Sequence, residues 1–206
     1  MFSTVASAAL GMLFWVVGSR LYDVEDVGRA SAAASAITLL GGLAQLSLNS
    51  VFIRFLPTAG DATVRFLRLA YTASGSTAVI LAVGFFVFGL GDDFLPPGPL
   101  ALIAFTVAVV CSSFSALQDS VLTSLKRTSW VPVENILISL GKLGLVPVLL
   151  GGAVAVPLLY AWGVPIVASV AVLTVVIFLR LAPAHARRLR GRQSLPSRGE
   201  LTAFMA

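Results

Sequence analysis

Charge is what this 206-residue chain has least of: Asp, Glu, Lys and Arg together make up 11% of it. An average soluble domain is roughly a quarter charged, and a globule of this size could not cover its surface with so few charges. Hydrophobic residues supply 58% of the sequence and mean hydropathy is +0.97. A water-soluble globule is therefore excluded, and the composition is that of an integral membrane protein. Cysteine is nearly absent. Cys111 stands alone inside an apolar stretch, which excludes a disulfide framework and a cysteine-based metal site. The single histidine, His185, lies in the basic C-terminal region without the neighbours a catalytic or metal-binding imidazole needs. There is no P-loop, zinc-ligand spacing, Ser/His/Asp set or glycine-rich phosphate cradle, so neither an enzyme, a metal site nor a cofactor is expected. The net charge of +5 and pI of about 10.1 could suggest nucleic acid. The basic residues, however, sit at the edges of apolar runs and in a C-terminal cluster, where orientation in a bilayer explains them better.

About twenty residues carry a helix across a ~30 Å hydrocarbon core. The first apolar run, Phe2 to Ser19, ends at Arg20 and lacks the basic n-region of a signal peptide, so it reads as a span that stays in place. A second lies between Arg29 and Arg54 with no charge between them, and a third runs from Leu69 to Leu90. The third stops at GDDFLPPGP, whose acids, glycines and prolines cannot continue a helix. A fourth goes from about Leu100 to Leu125. The apolar stretch from Val131 to Leu179 is too long for one crossing. Gly151, Gly152 and Pro157 divide it into a fifth span ending near Leu150 and a sixth starting near Pro157. The expected fold is an all-α integral membrane protein, a bundle of six transmembrane helices over residues 1–182, followed by a basic tail over 183–206. Pro147 and Pro165 predict kinks in the fifth and sixth spans, and Pro132 suits a helix start.

Orientation follows the distribution of Lys and Arg. Loops after even-numbered spans carry Arg54, Arg65, Arg68, Lys126, Arg127, Arg180, Arg187, Arg188, Arg190, Arg192 and Arg198, and the others only Arg20 and Arg29. The asymmetry predicts a plasma-membrane protein with both termini cytoplasmic and the Asp92–Asp93 turn outside. The basic tail fits a topology anchor that also attracts anionic headgroups. Met1 starts almost inside the first span and the chain stops soon after turning apolar again, so both ends read as cut.

Polar residues inside the spans fall on stripes. Ser31, Ser35, Thr38, Gly42, Gln45 and Asn49 follow steps of four, three, four, three and four, which keeps them on one helical face. Hydrocarbon cannot satisfy Gln45 and Asn49, so this face must meet protein or water. A tightly packed interface of small residues is the alternative use of such a stripe. Ser112, Ser115, Asp119, Thr123 and Lys126 share a face of the fourth span; Asn135, Ser139 and Lys142 share one of the fifth, with Glu134 beside them. Intramembrane ionisable groups usually face a bundle interior or a watery cavity. Lys142 has three possible uses: facing such a cavity, snorkelling toward the cytoplasm, or pairing with Asp119. Together the stripes predict a polar cavity, and Gln45, Asn49, Asp119, Asn135 and Lys142 are its candidate lining.

The stretch FWVVGSRLYDVEDVGRASAAASAITLLGGLAQLSLNSVFIRFLP resembles the first two helices of the polysaccharide-biosynthesis flippases, relatives of the O-antigen and lipid II flippases within the multidrug/oligosaccharidyl-lipid/polysaccharide exporter superfamily. The resemblance is carried by Arg20-Leu21-Tyr22, Val27-Gly28, Leu48-Asn49 and Arg54-Phe55-Leu56-Pro57. A second similar stretch is DSVLTSLKRTSWVPVENILISLGKL, with Asp119, Lys126-Arg127, Asn135 and Lys142. The resemblance implies two six-helix lobes facing each other across a central cavity, working by alternating access. It implies a lipid-linked oligosaccharide as cargo, its pyrophosphate held by basic residues that correspond here to Arg20, Arg54 and Lys142. This chain is long enough for one lobe. The partners so implied are the bilayer, the lipid-linked pyrophosphate saccharide, and a second six-helix lobe or a second copy of the chain, with residues 183–206 as the start of an interlobe linker. Two other readings stay open: a drug/cation antiporter lobe, for which Asp119 and Glu134 are the available carboxylates, and a non-transporting fragment or assembly subunit.

Overall fold

The computed structural model describes residues 2–125, 130–150 and 156–188. The Lys126-Arg127 pair, the Gly151-Gly152 break and the tail beyond residue 188 lie outside the described residues. Helix α1 (Phe2–Leu21) is followed by α2 (Val24–Ala44), α3 (Leu48–Phe55), two 3-10 turns over 56–62, α4 (Thr63–Val87), α5 (Pro99–Ser124), α6 (Trp130–Val148) and α7 (Pro157–Val176). A π-turn (Ile177–Leu181) joins α7 to the short α8 (Ala182–Arg188). There is no strand among the described residues. Helices α2, α4, α5, α6 and the continuous 157–187 segment are each long and apolar enough to cross a membrane, and α1 adds a shorter apolar helix. The molecule is an all-α membrane bundle.

Local chemistry sets most helix boundaries. Asp23 occupies the N-cap position of α2, and Glu25 and Asp26 follow in its first turn, where the helix dipole favours negative charge. Glu25 also accepts from Arg29 one turn on, at 2.5 Å. Between α4 and α5 the chain turns through Gly89 and Gly98, both at positive φ (67° and 126°), and Pro99 opens α5 where its missing N–H costs nothing. Pro147 stands next to the last residue of α6, so it ends that helix rather than bending it midway. Pro165 does lie inside α7, and it packs on Gly141 of α6: a Cβ there would come within 3.1 Å of the proline Cβ.

Two features depart from the expected spans. The second span is two helices rather than one, broken at Gln45–Ser47, with Leu46 and Ser47 in the left-handed region at φ 50° and 58°. That conformation costs roughly 1–2 kcal/mol for each L-residue. It is held by Leu48 and Phe52 of α3, which enter the core beside Leu117 and Val121 of α5, and by the Asn49 amide donating across the break to Gln45 Oε1 at 2.5 Å. The sixth span also runs on past residue 182 as helix to Arg188, and α8 packs back against α4.

Helix α5 is central, touching α2, α3, α4 and α7, whereas α6 lies between α1 and α7. Small residues on the inner face of α2, among them Ala30, Ala33, Ala34, Gly41 and Ala44, let its neighbours come close. The tightest approach is at Gly41, where a Cβ would lie 2.7 Å from Ser112 Oγ and 3.1 Å from the Ser113 backbone nitrogen. Aromatic contacts fill the wider gaps, Phe85 stacking on Phe105 and Tyr71 meeting Phe114 and Phe178. At the end of the bundle where α1 and α6 finish, the Tyr22 hydroxyl donates to the Val146 carbonyl at 2.7 Å. That carbonyl belongs to the last turn of α6, which has no helical donor for it.

Candidate functional site

The polar stripe of α2 lies outside the bundle. Its core-facing side is the Ala and Gly face just described, while Ser35, Thr38 and Gly42 are exposed and Ser31, Gln45 and Asn49 half-buried. The hydroxyls bond to their own helix: Ser31 to the Gly28 carbonyl at 2.9 Å, Ser35 to Ser31 at 2.8 Å and Thr38 to Ala34 at 2.8 Å. Such back-bonding satisfies the hydroxyl without protein or water on the far side, so Ser31, Ser35 and Thr38 do not require a wet surface as the stripe alone suggested. The amides at its end differ. Gln45 and Asn49 bond to each other, and Asn49 Oδ1 is left buried without a partner.

On α5, Ser112 packs against Gly41 of α2, Asp119 is half-buried, and Thr123 donates to the Asp119 carbonyl at 2.8 Å. On α6, Asn135 donates to the Val131 carbonyl at 3.0 Å and Ser139 to that of Asn135 at 2.7 Å. Lys142 does not pair with Asp119. Its ammonium sits over the Trp162 ring of α7, 4.6 Å from the centroid. The reason is geometric. Helices α5 and α6 touch only sparsely, and Asp119 lies within electrostatic reach of Glu134, eight residues or about 12 Å along α6 from Lys142. Arg20 and Arg54 are both exposed, Arg54 with its guanidinium 5.4 Å from the Phe55 ring centroid. They stand at opposite ends of α2, separated by about 30 Å of helix.

A tighter polar cluster forms where α5, α6 and α7 meet. Gln118, fully buried, uses its amide nitrogen twice, toward the Val170 carbonyl at 3.1 Å and Thr174 Oγ1 at 2.9 Å. Glu134, also buried, accepts from the Ser169 hydroxyl at 2.8 Å through Oε1, and its Oε2 has no partner. Tyr71 of α4 reaches the same place beside Gln118. Gln118, Ser169 and Thr174 were not among the sequence candidates. The available signal was weak: an amide next to Asp119 on the other side of the helix, and two hydroxyl residues in an otherwise apolar sixth span.

Two cavities open elsewhere. An apolar one of about 200 Å3 lies among α2, α5 and α7 and is lined by Ile37, Phe105, Leu159, Trp162 and Gly163. A polar one of about 260 Å3 at the Asp92–Asp93 turn is lined by Arg29, both aspartates, Phe94, Pro97 and their neighbours. Neither of these two is lined by Arg20, Gln45, Asn49, Arg54, Asp119, Asn135 or Lys142. Among the described residues no group of three or more His, Cys, Asp or Glu is placed to hold a metal. The chain matches no family model, no curated protein and no solved structure.

Proposed function

We propose that this chain is one six-helix lobe of an exporter that moves a lipid-linked oligosaccharide or polysaccharide precursor across the bacterial inner membrane by alternating access. The lobe is completed by a second six-helix unit or a second copy, with both termini cytoplasmic. The observation that carries the reading is the polar outer face of α2, on which Ser35, Thr38 and Gly42 are exposed and which ends in the Gln45–Asn49 pair. Such a face suits a counterpart lobe across a water-filled gap better than hydrocarbon. Lys142 supplies a cation at membrane depth. A ring contact is a weaker partner for it than a pyrophosphate oxygen, so the ammonium can exchange Trp162 for cargo. Arg20 and Arg54, at opposite ends of α2, would meet the pyrophosphate at the two sides of the membrane. A second reading, a cation-coupled antiporter lobe, draws on the unpartnered Glu134 Oε2 near Asp119.

The test is made with the protein in sealed vesicles carrying a fluorescent undecaprenyl-pyrophosphate saccharide. The expected result is protein-dependent loss of leaflet asymmetry, slowed about tenfold or more in Lys142→Gln by removal of one charge-assisted phosphate contact. In a Cys111→Ala background, a cysteine at Thr38 should also react with a membrane-impermeant thiol reagent. An unchanged leaflet distribution together with a fully protected Thr38 cysteine would sink the proposal.

A further inference from the structure

The two cavities are neighbours. Leu95, Pro96 and Val156 line both, so the apolar slot adjoins the charged mouth at the end of the bundle where α4 finishes and α5 begins. Slot and mouth differ in chemistry as the two ends of an amphiphile do. The slot presents mostly hydrocarbon and ring surface, and its lining includes Tyr160 and Trp162, residue types that favour the level of lipid headgroups. Gly163 leaves its floor open, because a Cβ placed there would touch nothing within 4 Å.

The mouth is selective in charge. Arg29 lines it together with Asp92 and Asp93, yet the guanidinium pairs with Glu25 on its own helix rather than with either aspartate. Glu25 offsets Arg29, and the two aspartates are left as surplus negative charge facing the cavity. Guanidinium has five N–H donors, so one bond to Glu25 leaves others for an acceptor in the mouth. A ligand complementary to this site has an ammonium group, a phosphate one short linker away and a hydrocarbon chain. An anionic lipid would bring like charge against the aspartates.

We propose that these adjoining cavities bind one aminophospholipid of the surrounding bilayer, with its ammonium at Asp92 and Asp93, its phosphate at Arg29 and one acyl chain in the slot between α2, α5 and α7. The site shares only Trp162 with the residues placed on the cargo route, and its ligand contacts at Arg29, Asp92 and Asp93 are separate from that route. The lipid fills a gap between three helices that no side chain fills, and it seals the α4–α5 turn to the bundle.

Native mass spectrometry of the full chain in detergent tests this, with phosphatidylethanolamine and phosphatidylglycerol of identical acyl chains titrated in turn. One phosphatidylethanolamine should bind about tenfold more tightly than phosphatidylglycerol, the ratio that charge-assisted hydrogen bonds to a carboxylate pair support. Asp92→Asn combined with Asp93→Asn should bring the two lipids to near equality without touching the core. Gly163→Leu, which fills the slot, should weaken both. Equal binding of the two lipids by the unaltered chain would overturn the proposal, as would a preference that survives the double asparagine variant. Loss of all binding in Gly163→Leu with no effect of the aspartates would reduce the site to an unselective acyl groove and overturn it as well.

Discussion

The outer band of α2 and the seam between α5, α6 and α7 both carry polar side chains at membrane depth, but they spend them differently. On α2 the hydroxyls of Ser31, Ser35 and Thr38 return to carbonyls of their own helix and hold nothing else. In the seam Gln118 and Glu134 reach from one helix to another, to Val170, Thr174 and Ser169. Hydrophobicity gives no preference for helix over lipid tail inside a bilayer, so association rests on close packing and cross-helix hydrogen bonds. The comparison teaches that a polar stripe read from spacing identifies a face without telling whether that face binds anything. The inner side of α2 shows the other means of association, shape alone, at Gly41 against Ser112.

Three variants break or sharpen this contrast. The largest effect is expected for Gly41→Val, because one obstacle to a new Cβ is the Ser113 backbone nitrogen at 3.1 Å, which cannot rotate away. The α2–α5 contact should open, with a loss of about 3 kcal/mol in a denaturant titration of the micelle-embedded protein. Gln118→Leu comes next: it removes two donors between α5 and α7, and a loss of about 1–2 kcal/mol is expected by the same titration. The smallest change is expected for Ser31→Ala, Ser35→Ala and Thr38→Ala together, which remove only back-bonds and should stay within about 0.5 kcal/mol. A triple variant as damaging as Gln118→Leu would erase the distinction between the two regions and give the α2 band a partner within this chain.

The bundle was legible in the sequence because each boundary has a local cause. Glycine and proline mark the α4–α5 turn, Pro157 opens α7, and apolar length fixes the rest. The break between α2 and α3 was not legible, since Leu46 and Ser47 hold left-handed conformations that neither residue type signals. They are fixed by tertiary contacts of α3, which no window on residues 29–54 contains. The continuation of α7 through the π-turn was hidden for a similar reason, because Arg180 reads as a span end whereas Ile177 and Ala182 on either side of it are buried. For the site, spacing found the polar residues and their helical faces. It did not show which helix each face meets, and so Lys142 could be matched with Asp119 as readily as with Trp162. Spacing within a helix is a one-body property, while partner choice depends on the packing of α6 between α1 and α7.

The Tyr22–Val146 hydrogen bond joins groups 124 residues apart in the chain, and the helix it fastens, α1, has α6 as its main neighbour. During synthesis at about 5–20 residues per second, that neighbour emerges roughly 6–25 s after α1 has entered the membrane. Through that interval α1 has its contact with α2 near Ala30 but not its larger one with α6, and its apolar composition makes the wait inexpensive. A helix made well before its main neighbour is thus locked late, and a ribosome pausing before residue 146 would leave α1 held in the bilayer without its clasp.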